Sequence, residues 1–421
     1  MAQNIGIGTT IPLSRLHVEQ GDVLFNGPAT LPSTPGLTPV SGSGTRLMWY
    51  PDKAAFRAGA VFNKDWDRDS IGNYSIALGA FSKATAFGAV AMGNSCSAAG
   101  DAATSFGFGS KAIGDYSISM GSQSESLGSF SITLGTINAA TANYAVAIGL
   151  ANTASNTSAT AFGYDNIANG VYSTAFGRGN NASGINAIAF GTGCTTTGAF
   201  ATSFGRDCTA SADNTTAFGQ QATASGTNSI SIGSYVSTSG YAGAFALGDA
   251  STTTVMNSFV ANGFRARFAG GYRLFTNSAV SIGAFLNANA NSWAALSDVR
   301  MKENFLPVDG EAFLKKIAAM PQVSWNYIGQ DAKTLRHYGP MAQDFYQAFG
   351  RDSIGEIGCD TLINQQDFLG VNLIAIQALE KRTQKIDDLE NKMEKLENEN
   401  TLLREQMNAL LETIKAKGGG R

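Results

Sequence analysis

Charge is scarce in this chain, and histidine, cysteine and proline are scarcer. Charged side chains make up 14% of the 421 residues, 29 basic against 32 acidic, for a net charge of −3. No global basic field exists to recruit nucleic acid. The four cysteines, Cys96, Cys194, Cys208 and Cys359, show no CxxC spacing, which argues against a zinc site or a disulfide framework. The only histidines are His17 and His337, so zinc-protease and Ser-His-Asp arrangements find no support. No metal and no cofactor is expected. Nine prolines stand beside 49 glycines with no Gly-X-Y period, which excludes collagen. A hydrophobic share of 43% excludes simple disorder. No apolar run approaches the roughly 18 to 20 residues that span a bilayer. The opening MAQNIGIGTT has neither a basic n-region nor an apolar h-region. No signal peptide is therefore expected in this sequence, and the chain either leaves the cell by another route, such as phage lysis, or lacks an original leader.

Glycine is abundant, and it recurs at a fixed interval. Twelve glycines from Gly79 to Gly233 follow one another at a spacing of 14. Each is preceded by an apolar residue (Leu78, Met92, Phe106 through Ile232) and, three places back, by a β-branched one (Ile76, Val90 through Ile230). A second small residue recurs seven places before most of them, as at Gly72, Gly100 and Gly114. The period predicts a β-solenoid whose 14-residue unit holds two short strands and two turns. Alternation puts Thr174 and Phe176 on one face and Ser173 and Ala175 on the other. Glycine is expected to supply the positive φ of the tight turns. Twelve coils at strand spacing would stack over roughly 55 to 60 Å. So short a coil encloses a thin core and leaves apolar surface exposed, which implies burial against identical neighbours.

This repeat resembles the head of trimeric autotransporter adhesins, a left-handed parallel β-roll trimer with SxAxG-type repeats. The resemblance covers Gly72 to Asp249 and ends at YAGAFALGDAS, where Gly248 arrives one residue late. The membrane-anchor barrel of those adhesins is absent, so self-translocation is not expected. Before the repeat, NIGIGTTIPLSRLHV resembles short β segments of surface and fibre proteins, and the proline-rich stretch Pro28 to Pro39 reads as a linker.

Composition changes near residue 297. Only ten charged residues fall between 72 and 240, whereas charge is dense afterwards. Asp309 is a candidate N-cap for a helix over Glu311–Ala319, and VSWNYI reads as a strand. The C-terminus carries heptads: Leu379, Ile386, Met393, Asn400, Met407 and Ile414 at a, with Leu389, Leu396, Leu403 and Leu410 at d. Asn400 is a polar break that fixes register and strand number. The heptads alone would permit a dimer.

Within SDVRMKENF, Ser297 and Lys302 are five apart. A serine needs a nearby base, and a lysine serves only when burial or a neighbouring cation lowers its pKa. Arg300 is such a cation. By spacing alone the pair reads equally as a helix-start serine beside a surface lysine. The longer pattern GGYRLFTNS…W…LSDxRxKENFLPVDG…WNY…RHYGPMAQDFYQAFG…GVNLIAIQALEKR closely resembles the peptidase S74 family over residues 270–385. That family holds the intramolecular chaperones of phage endosialidase tailspikes and tail fibres, with a related module in myelin regulatory factor. The resemblance implies a module that trimerises, assists folding of the fibre before it, and then cuts itself off between Leu296 and Ser297. It places the nucleophile on Ser297 and the base on Lys302, with Asp298, Arg300 and His337 in support. Arg300 sits one place later than the arginine of many relatives.

The expected architecture is mainly β: a left-handed parallel β-roll homotrimer of 14-residue repeats, then an α+β chaperone module and a trimeric coiled coil. Expected segments are an attachment segment with linker over 1–70, the head over 71–249, a β transition over 250–296, the chaperone over 297–370 and the coil over 371–417. The expected role is a trimeric tail-fibre or surface adhesin that docks to a larger assembly through its N-terminus. It would meet a glycan or protein receptor outside the cell, on a virion tail or bacterial surface. One rival is a glycan-cleaving depolymerase, for which Asp101 and Asp115, at the same position in adjacent coils, offer a carboxylate pair; solvated turn residues are the plainer reading. Another is a fibre with a permanent, uncut cap, and a third is a released DNA-binding regulator. Cys96, Cys194 and Cys208 share one coil position and read as stacked small residues rather than a redox pair.

Overall fold

The computed structural model describes residues 4–418; residues 1–3 of the expected attachment segment lie outside it. The chain forms two compact units that divide after Gly271.

The first unit is a β-solenoid. Most coils contribute a five-residue and a two-residue strand, as in Ile118–Ser122 and Glu125–Ser126, while Thr216–Ala224 and Ile230–Ser237 run the two together. Both pair in parallel with the same residues 14 positions on, Ile118 with Ile132 and Glu125 with Ala139. The ladder is longer than the repeat. It begins on the hairpin Gly44–Tyr50 and Ala55–Val61 and continues through Phe245–Gly248 to Phe264–Arg267. The extra residue before Gly248 is absorbed in the turn, since Gly233 still pairs with Gly248.

The alternation separates small from large. Ser173 and Ala175 are buried, and the same inward positions elsewhere hold alanine, serine or threonine. The larger partners face outward. Phe162, Phe176, Phe190, Phe204 and Phe218 form a continuous parallel stack with centroids 4.7 to 5.0 Å apart, yet each stays 37% to 47% exposed. A 14-residue coil has no interior room for a ring, so its aromatic residues must line the outside.

The periodic glycines answer to stacking as well as to turning. Gly121 has φ +123°, and a Cβ there would lie 1.9 Å from the carbonyl oxygen of Gly135 in the next coil. The turn corners themselves are mostly other residues in the left-handed region, such as Tyr116 (φ 56°) and Gln123 (φ 53°). This corrects the expectation that glycine supplies the turns. Each corner is held by the coil before it, Tyr116 N–H donating to Asp101 O and Gln123 N–H to Phe108 O, both at 2.7 Å; such support is what lets a strained backbone persist.

A polar column runs inside the stack. Asn138, Asn152, Asn166 and Asn180 are buried. Asn166 Nδ2 donates to Asn152 Oδ1, Phe162 O and Gly177 O at 3.0, 3.0 and 2.7 Å. The hairpin end is closed by Trp66, whose Nε1 donates to Ser82 O at 2.9 Å, and by Arg57. Arg57 is fully buried and donates to the carbonyls of Phe56, Ser75 and Ala84; burial pushes its guanidinium down to about 10.

The second unit starts with a sheet of Gly271–Phe275, Gly283–Asn287 and Ala294–Ala295. Three helices follow: α1 (Gly310–Ala319), α2 (Ala342–Phe349) and α3 (Gln365–Gly418). Asp309 caps α1 by accepting from the N–H groups of Glu311 and Ala312. Val323–Trp325 pairs antiparallel with His337–Gly339. Phe345, Phe349 and Val371 form a small core joined by Phe313, Ile317 and Phe368. Arg382 of α3 ties to Glu311 of α1 through a two-oxygen ion pair. Beyond residue 379 the heptad side chains of α3 stand exposed. No helix among the described residues is long and apolar enough to cross a membrane.

Candidate active site

Five extended residues would carry Lys302 roughly 16 Å from Ser297. A single 3-10 turn over Val299–Met301 closes that distance. Asp298 starts the turn, its Oδ1 accepting from Arg300 N–H at 2.9 Å, and Lys302 N–H ends it on Val299 O at 3.2 Å. Lys302 Nζ then meets Ser297 Oγ at 2.7 Å. This is hydrogen-bond distance for a nucleophile and its base.

Arg300 folds back on Asp298, its Nε lying 3.1 Å from both carboxylate oxygens. Hydrogen bonds from the Arg300 side chain and backbone hold the Asp298 carboxyl below its ordinary range, and the same pair raises the guanidinium. Arg300's charge is thus balanced by Asp298, and the two residues shape the turn that carries Lys302.

Lys302 opens onto a cleft of about 550 Å³ whose lining includes Leu296 but not Ser297. Ser281, Ile282 and Gly283 line one side, Leu296, Asp298, Arg300 and Lys302 another, and Asn364 and Gln366 at the start of α3 a third. The last two escaped sequence reasoning. They lie 59 and 61 residues beyond Phe305, the end of the motif, and no local signal marks them. His337 is not among the residues lining this cleft. Its ring packs 4.7 Å from Trp325 and 5.7 Å from Tyr327; His337 Nε2 and Trp325 Nε1 are buried without a hydrogen-bond partner.

The other candidates become structural. Asp115 Oδ1 accepts from Asp101 N–H at 2.9 Å, and Asp101 Oδ1 accepts from Phe87 N–H at 3.2 Å. Each carboxylate thus holds the preceding coil rather than facing its neighbour across a groove. Cys96, Cys194 and Cys208 are buried free thiols in the asparagine column. The contact between the two stacked thiols lowers Cys194 from its ordinary range and raises Cys208. No group of three or more histidine, cysteine, aspartate or glutamate side chains suited to a metal occurs among the described residues.

Residues 297–352 match the peptidase S74 family, described as a chaperone of endosialidase. The match opens on Ser297. Repeats between residues 70 and 235 match the YadA head domain repeat. The chain is thus similar to YadA head repeats in its first part and to the S74 chaperone after residue 296, matching both resemblances. No curated protein matches it.

Proposed function

We propose that the chain is a trimeric fibre or adhesin whose S74 module drives trimerisation and then releases itself by cleaving Leu296–Ser297. The observation that carries this is the Ser297–Lys302 contact of 2.7 Å on the first residue of the S74 match. Neutral Lys302 takes the Ser297 hydroxyl proton as Oγ bonds to the Leu296 carbonyl carbon. The carbonyl electron pair moves onto oxygen. When it returns, the C–N bond breaks and Lys302 gives its proton to the Ser297 nitrogen. An ester then joins Leu296 to Ser297 Oγ, and water hydrolyses it to a Leu296 carboxylate and a free Ser297 amine.

Two outward apolar surfaces favour association: the phenylalanine face of the head and the heptad stripe of α3. Three left-handed rolls packed on the first, and a three-stranded coil on the second, would bury both. Ser297 and Lys302 are exposed in the single chain. Packing by neighbouring copies would exclude water from the pair, so cleavage follows assembly. The released fibre would be exposed at a virion tail or bacterial surface, docked through its N-terminal segment, with a glycan or protein receptor. The depolymerase reading loses its carboxylates to the backbone contacts of Asp101 and Asp115.

The test is the intact mass of freshly purified, denatured wild type beside Ser297→Ala and Lys302→Ala. Fragments 1–296 and 297–421 from the wild type alone support the dyad. A single uncut wild-type chain makes the module a permanent trimerising cap and removes the protease assignment.

A further inference from the structure

Resting on that cleavage reading, we propose that the carboxamide of Asn364, with that of Gln366 beside it, donates to the oxyanion that forms on the Leu296 carbonyl. Attack by Ser297 places a full negative charge on that oxygen, and acyl transfer needs a donor aimed at it. Most cleft side chains already have an occupation. Lys302 holds Ser297. Arg300 is committed to Asp298. Ser281 is held by Asn277, its Oγ accepting from Asn277 Nδ2 at 2.8 Å and its N–H donating to Asn277 Oδ1 at 3.0 Å. Asn364 and Gln366 line the same cleft as Leu296 and Lys302.

Asn364 is oriented by its own helix. Its Oδ1 accepts from Gln366 N–H at 2.9 Å, and its backbone carbonyl accepts from Phe368 N–H at 3.0 Å. The oxygen end is thereby engaged and the Nδ2 end is left as the donor. Asn364 immediately precedes, and Gln366 stands on, the first turn of a 54-residue helix, where the positive end of the macrodipole favours developing negative charge. Asn364 lies 67 residues downstream of Ser297. The oxyanion site is therefore complete only once the module has folded and seated the start of α3, so folding licenses cleavage.

The full-length chain is translated in vitro as wild type, Asn364→Ser, Gln366→Met and the double variant, and cleavage is followed by mass over a pH series. Serine still caps a helix, and methionine is neutral and close in shape to glutamine. The double variant is expected to cleave about 10²-fold more slowly, with the pH of half-maximal rate and the oligomer size unchanged. Asn364→Asp, which keeps the cap but offers no donor, should be slow as well. Variants within about threefold of wild type would overturn the assignment, since one lost donor costs far more. So would a slowed rate accompanied by a shifted pH profile or lost oligomer, which would mark a packing role. An uncut wild type would instead sink the cleavage reading, and this inference with it.

Discussion

At the scale of single residues, Lys302 separates charge from base chemistry. Arginine keeps the positive charge but cannot give up its proton. Lys302→Arg should therefore slow cleavage by about 10²- to 10⁴-fold while leaving assembly intact; a time course on denaturing gels beside native gels reads both. Asp249 offers a pH-dependent prediction in the head. Its carboxylate accepts from Ala269 N–H at 2.7 Å, Ser251 Oγ at 2.7 Å and Arg267 Nε at 3.2 Å, and those bonds, with Ala269 leading, lower its pKa to about 2. A depressed carboxylate stabilises the fold above its unfolded pKa and loses that contribution as pH falls through its folded value. The last rung should thus loosen between about pH 4 and pH 2. Asp249→Asn should remove that pH dependence, as amide exchange across 264–269 would report.

At the scale of the coil, stacking decides what each position tolerates. Gly121→Ala drives a Cβ to within 1.9 Å of Gly135 O, and positive-φ strain alone costs about 1 to 3 kcal/mol. Melting should shift down clearly. Asn166→Ala removes donors from Phe162 O and Gly177 O inside the stack, and each buried group left unpaired costs about 1 to 3 kcal/mol. Asn166 has no counterpart rule in the sequence pattern: serine, cysteine and asparagine all occupy this column, and only the stacking of coils joins four asparagines into one hydrogen-bonded line. The period, the alternation and the Asp309 cap were legible because each is local. The occupation of Arg300 by Asp298 was not, because five residues of text do not say which way a turn folds.

At the scale of the whole molecule, the outward phenylalanines and the α3 heptads are the surfaces that assembly would consume. Replacing Phe176 and Phe190 with serine should leave the coil itself folded, since neither ring enters the core. It should lower the sedimentation mass of the fragment 1–296 toward that of one chain. Unchanged mass would show that this face stays in water. Asn400→Ile should raise the melting temperature of the C-terminal coil and broaden its choice of partner number, because a buried polar a position trades stability for register. Non-local pairing between copies folds slowly; a coil that aligns the chains and is then cut away would leave the head kinetically trapped.

The 14-residue spacing, the small-large alternation and the 3-4 heptads by themselves determined a two-faced solenoid and a C-terminal helix. Each depends on chemistry that repeats within a few residues. The tertiary structure decided which face was interior, because a thin coil admits alanine and asparagine and expels phenylalanine. It also decided that Ser297 and Lys302 touch, that His337 packs with Trp325, and that Asn364 joins the cleft. Those relations depend on a turn, a strand pair and a helix start that bring distant residues together, and distance along the chain carries no trace of them.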